Sequence, residues 1–198
     1  MQQSKATGPA TESLIPELED YCRQFEAIKR DAEDLLQGMS EAQFNWRQSP
    51  GRWSIAECLA HLNVTGNLYI PIIEEGIKRG RGRGLLGEGP FRYGWLNNWF
   101  VRFNEPPVKI KAKAPKAFVP QPDQPMGIVV PEFFKIQDRL IDCARAANGL
   151  DLARVKIQSP ATRLVRLSLG RGIAIMGSHE RRHLWQARQV KVDPGFPA

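Results

Sequence analysis

Of the 198 residues only three are cysteine and three are histidine. Cys22, Cys58 and Cys143 are odd in number, widely spaced and set in helical-looking stretches. That argues against a disulfide framework and for a reducing, cytoplasmic setting. Long apolar runs are missing too. No window approaches the ~18 uninterrupted apolar residues of a membrane span, so no membrane association is expected. The opening Met1-Gln2-Gln3-Ser4-Lys5-Ala6-Thr7-Gly8-Pro9 lacks the apolar stretch of a secretion signal. Residues 1–12 read instead as a flexible tail. Confident strand patterns and internal repeats are also lacking.

What is present suits one globular domain. Hydrophobic residues make up 42% and charged residues 25% of the chain, close to average, and the length can bury a core without staples. The 28 Lys+Arg against 21 Asp+Glu leave a formal charge of +7. Much of the excess lies between Lys78 and Lys116, including Lys78-Arg79-Gly80-Arg81-Gly82-Arg83, and Phe91, Tyr93, Trp95 and Trp99 follow. Basic residues interleaved with aromatics superficially suit single-stranded nucleic acid. Charge runs are usually solvated faces, so nucleic acid is not the expected partner. A basic rim would equally welcome a thiolate, carboxylate or phosphate substrate.

Four segments carry helical periodicity. In Ser13 to Gln37, Leu14, Leu18, Tyr21, Phe25, Ile28, Leu35 and Leu36 form an apolar stripe that Gly38 should stop. A second helix starts after Ser54, whose pairing with Glu57 reads as a capping box, and continues to Ile77 with a kink expected at Pro71. From Gly80 to Pro131 the chain is rich in Gly and Pro, with one short helical candidate at Trp95 to Phe103. Connections this long tend to be functional or mobile. A third helix is predicted over Glu132 to Ala147, and a last one from about Ser168 to Val190. Val155 to Arg166 fits either an irregular link or a short extended piece. The expected class is all-α, a helical bundle over 13–190 with a short tail at 191–198.

The histidines are the most informative residues. His179 and His183, spaced i, i+4, put two imidazoles one turn apart on the same helix face. His61 lies on the Cys58–His61–Thr65–Leu68 stripe, which a bundle would turn inward. Burying three imidazoles without a partner would leave polar nitrogens unpaired, whereas a divalent transition metal would satisfy them and keep a coordination position open. Zn, Ni, Cu and Fe all suit neutral imidazole. His179-Glu180-Arg181-Arg182-His183 also matches H-E-x-x-H, with Glu180 a weak candidate for proton transfer. A protease of that type takes a third ligand from downstream, and no His or Glu follows His183. Glu180 is therefore expected to be solvated or to stand behind the ligands. Cys58, one turn before His61, could be a fourth ligand or a small buried hydrophobe. Trp53 is expected to pack at the start of its helix, Gln186 to orient an imidazole, and Arg181, Arg182 and Arg188 to face solvent or a partner subunit.

The run Trp53-Ser54-Ile55-Ala56-Glu57-Cys58-Leu59-Ala60-His61-Leu62, followed far downstream by His179-Glu180-Arg181-Arg182-His183-Leu184-Trp185-Gln186, resembles the DinB/YfiT-like superfamily. The resemblance spans about Leu14 to Val190. It implies an up-down-down-up four-helix bundle, often a homodimer, with Zn or Ni held by His61, His179 and His183. It leaves Gly80 to Pro131 as a long insertion between the second and third helices. Relatives of that kind include thiol S-transferases that use a low-molecular-weight thiol, and metal-dependent hydrolases. The implied function is a metal-dependent enzyme acting on a small molecule, by thiol transfer or by hydrolysis. A metal-stabilised binding protein without turnover is the alternative from another class.

Overall fold

The structure, a computed structural model, describes residues 13–107, 114–162 and 165–198. The expected N-terminal tail at 1–12, and residues 108–113 of the basic stretch, lie outside the described residues. The chain is mostly helical, at 62%. Its helices are α1 (Pro16–Leu36), α2 (Glu41–Asn45), α3 (Ile55–Gly82), α4 (Trp95–Asn104), α5 (Met126–Ala146) and α6 (Leu169–Lys191). A 3-10 turn spans Lys116–Phe118, and the strands β1 (Lys156–Gln158) and β2 (Arg166–Ser168) form an antiparallel ribbon.

The four long helices share one core. α3 packs on α5 and α6, and α1 packs on the same two helices. The apolar stripe of α1 buries Leu18, Tyr21, Phe25, Ile28, Ala32 and Leu35, the periodicity read from sequence. Gly38 follows with φ of +69°, a left-handed conformation that glycine adopts without strain. Gly66 serves a different purpose. A Cβ there would come within 2.4 Å of Ile136 Cγ2, so α3 and α5 approach as closely as they do only because that side chain is absent.

The capping box forms as expected. Ser54 Oγ accepts the Glu57 N–H at 3.1 Å and Glu57 Oε2 accepts the Ser54 N–H at 2.8 Å. Arg47 Nε also donates to Glu57 Oε2, at 2.8 Å. α3 then runs unbroken through Pro71. Proline removes the bond to the carbonyl four residues back, but Pro71 and Asn67 are both exposed, so water can take that carbonyl. α5 starts at Met126 rather than at Glu132. Pro131 and Gly127 are likewise both exposed, and the Glu41 carboxylate of α2 accepts the Met126 N–H at 2.9 and 3.2 Å. That borrowed cap supports a first turn that a proline-based boundary missed.

α2 was not read from sequence, although Ser40 and Gln43 form a second capping box. The ambiguous stretch after Val155 resolves into the ribbon, which presses Ile157 and Leu167 into the core. At the end of the chain Phe196 meets Trp46 edge-on at 5.5 Å, and Gln43 Nε2 donates to the Pro197 carbonyl at 3.1 Å.

Candidate metal centre

His61 projects from the buried face of α3, and His179 and His183 project from one face of α6. Their ring centroids lie 4.5–5.1 Å apart. One ligand atom from each falls within 4.8 Å of the others, the only such group of His, Cys, Asp or Glu among the described residues. His61 and His183 are buried, at 3% and 6% exposure, and His179 is half-buried. The Trp53 indole walls the cluster, with its centroid 4.9 Å from His61 and 5.7 Å from His183. Its place is thus against the imidazoles, not merely at the helix start.

The connection between α3 and α5 determines which nitrogens face inward. His61 Nδ1 lies 2.6 Å from the Phe118 carbonyl. A carbonyl only accepts, so that nitrogen carries the proton and leaves Nε2 a bare lone pair. His179 Nδ1 lies 3.4 Å from Asn104 Oδ1, which asks the same of the second ring. The two Nε2 atoms are then left facing one another at 3.0 Å. Two lone pairs at that distance repel unless a cation sits between them. The third ring adds a buried Nδ1 without a hydrogen-bond partner. Tetrahedral coordination with Zn–N bonds of about 2.0–2.1 Å needs nitrogens roughly 3.4 Å apart; the two Nε2 atoms stand at 3.0 Å and one atom of each ring lies within 4.8 Å of the others, so three neutral imidazoles could hold a divalent transition ion.

Electrostatics keep the rings neutral. Burial lowers His179 to about 3, with His61 and Arg182 adding to the effect. His183 is lowered well below its ordinary value by burial and then by His179, His61 and Arg182, with Gln186 acting the other way. His61 is lowered by burial against the opposing Phe118 bond. Neutral imidazole is the form that binds a metal.

The arginines of the motif do not face solvent or a partner as expected. Arg182 is 9% exposed and its Nη1 donates to the Phe103 carbonyl at 3.2 Å. Arg181 Nε donates to Glu105 Oε2 at 3.0 Å, a second bond joins the pair, and its Nη1 donates to Gln24 Oε1 at 2.8 Å. Together with His179 and Asn104, these contacts bind three successive residues at the end of α4 to α6. Arg188 does stay near the surface, donating to the Asp31 carbonyl at 3.0 Å.

Glu180 is not solvated. It has 0% exposure, and neither carboxylate oxygen has a hydrogen-bond partner in normal geometry. Burial raises its pKa to about 8 against the lowering influence of Gln137 on α5 and of Arg181. Cys58 is wholly buried, its thiol pushed up by burial and by Glu57, and it stands in the core rather than with the ligands. Asn104 and Phe118 were missed from sequence. Asn104 closes a visibly amphipathic segment, but a backbone carbonyl such as that of Phe118 leaves no residue signature.

The sequence pattern described as the DinB superfamily matches residues 24–187, which include every residue of this cluster. The chain belongs to the DinB superfamily. No curated protein and no solved structure matches it. The three-histidine group of this DinB-superfamily chain could hold a divalent metal ion. No helix among the described residues is long and apolar enough to cross a membrane.

Proposed function

We propose that this DinB-superfamily chain is a metal-dependent enzyme. In this reading His61, His179 and His183 hold one divalent transition ion, Zn or Ni, in an up-down-down-up four-helix bundle spanning 13–190. Thiol transfer from a low-molecular-weight thiol to a small electrophile is the favoured reaction. When bound, such an ion acts as a Lewis acid and lowers the pKa of a thiol or water placed on it. The observation that carries the proposal is the approach of His61 Nε2 and His179 Nε2 to 3.0 Å within a group of three converging imidazoles.

The chain's own residues set the conditions. Phe118 and Asn104 fix the two tautomers, and such partners typically govern metal affinity. Trp53 walls the cluster on one side. Three neutral imidazoles bring no negative charge, and the Arg182 guanidinium beside them adds a positive one. That field favours an anionic ligand, which supports a thiolate over a neutral nucleophile. Glu180, fully buried with neither carboxylate oxygen hydrogen-bonded, is poorly disposed to serve as the general base that H-E-x-x-H hydrolysis requires.

The test has two stages. Elemental analysis should find about one transition ion per wild-type chain and little in His183→Ala; equal content in both would remove the site. Thiol-dependent consumption of monochlorobimane is then assayed with a series of cellular thiols. Turnover that disappears in His183→Ala supports thiol transfer, and no turnover with any thiol would turn the reading toward hydrolysis or binding alone.

A further inference from the structure

A cavity of about 610 Å³ opens between α1, α6 and the connection that carries α4, and none of the three histidines lines it. That volume suits a small organic ligand. Tyr21, Phe91, Tyr93, Val101 and Ala174 form the apolar and aromatic part of its wall, and Arg171 lies among them.

Three of the acids at the cavity are already matched. Glu17 Oε1 accepts the hydroxyls of Tyr21 at 2.5 Å and Tyr93 at 2.8 Å. Glu105 is paired with Arg181. Asp20 accepts from Arg23 at 3.1 Å and from Gln24 at 2.6 Å. Glu88 stands exposed at the rim.

Arg171 is in a different position. Its guanidinium carbon lies over the Tyr93 ring, 4.0 Å from the centroid, and Nη1 reaches the Tyr21 hydroxyl at 3.4 Å. Its Nε is buried with no hydrogen-bond partner. No ion pair to Arg171 occurs among the described residues. A guanidinium held over an aromatic ring presents a fork whose geometry matches a carboxylate.

We propose that this cavity is a second ligand site, which binds a small organic carboxylate. The acid group lies against Arg171 and the apolar body against Phe91, Val101 and Ala174. The proposal is independent of the metal reading, since the two sites share no ligand-bearing side chain.

The test uses the full chain and three probes: benzoate, its neutral counterpart benzamide, and inorganic phosphate. Ligand-observed NMR gives affinities, and the Arg171 Nε–H resonance reports the contact. Benzoate is expected to bind and shift that resonance, with benzamide about tenfold weaker or worse, the loss expected for a hydrogen bond to a charged group. Arg171→Gln should weaken benzoate about tenfold, and Ala174→Phe should block it while leaving Arg171 in place. Should Arg171→Gln fail to fold, Ala174→Phe and Arg171→Lys carry the comparison, with lysine expected to bind more weakly than arginine. Equal binding of benzoate and benzamide, undiminished binding in Ala174→Phe, or no benzoate binding at millimolar concentrations would overturn the proposal. Phosphate binding in preference to benzoate would overturn the carboxylate assignment.

Discussion

Replacing Glu180 with glutamine is expected to stabilise the metal-free protein at alkaline pH while changing little at pH 5. Glu180 is fully buried, and burial raises its pKa from 4.5 to about 8. In the unfolded chain the carboxyl releases its proton near its ordinary value. Between those two values the folded state therefore binds more protons than the unfolded state, and linkage requires stability to fall as pH rises. Taken at face value, the shift costs roughly 3 kcal/mol more at pH 8 than at pH 5. Glutamine has nearly the same shape and no charge, so it removes this slope. Contributions from the histidines are common to both proteins and cancel in the difference. The assay is urea denaturation of wild type and Glu180→Gln at pH 5 and pH 8, both with chelator. The gap should widen by about 2–3 kcal/mol toward pH 8 in favour of glutamine. Parallel pH dependences, or a variant destabilised at both pH values, would refute the reasoning and reopen a charged role for Glu180.

Asn104→Ala should weaken metal binding by about 10–100-fold, measured by competition with a chelating dye, because it removes the acceptor that holds the His179 tautomer. In metal-free protein His179, lowered to about 3, should stay neutral at pH 5 in a nitrogen-detected NMR titration. Its folded pKa lies below its unfolded value of about 6.5, so its contribution is present above pH 6.5 and is lost as pH falls toward 3. Against His179→Gln, the wild type should lose about 2 kcal/mol more between pH 8 and pH 5. Gly66→Ala should destabilise by roughly 1–3 kcal/mol, since its Cβ would meet Ile136 Cγ2 at 2.4 Å. Gly127→Ala in α5, where nothing lies within 4 Å, should be neutral or stabilise by up to about 1 kcal/mol, both glycine variants being read by urea denaturation.

The parts of the molecule legible in the sequence are those where one residue's chemistry acts on near neighbours. The stripe of α1, the Ser54–Glu57 cap and the His179–His183 pair all involve spacings of three or four residues, which helix geometry fixes directly. His61 was readable because an imidazole on an apolar stripe needs a partner. What was hidden depends on distant contacts. The first turn of α5 is capped by Glu41, 85 residues earlier, so Pro131 looked like its boundary. Arg181 and Arg182 look solvent-facing on charge alone, and only the return of α4 gives them Glu105 and the Phe103 carbonyl. Asn104 ends a short helical segment whose packing partner the sequence does not name, and Phe118 lies in a stretch without periodicity and acts through its backbone carbonyl. Glu180 reads from the sequence as solvated or standing behind the ligands, but the helix buries it fully and turns it toward Gln137 on α5.

The most direct test of the metal centre is X-ray absorption at the metal edge of the purified, metal-loaded chain. Three imidazoles at about 2.0–2.1 Å, visible through their multiple-scattering features, are expected in wild type, with one fewer in His61→Ala. An all-oxygen shell, a sulfur shell, or a spectrum unchanged by His61→Ala would contradict a shared ion at His61, His179 and His183.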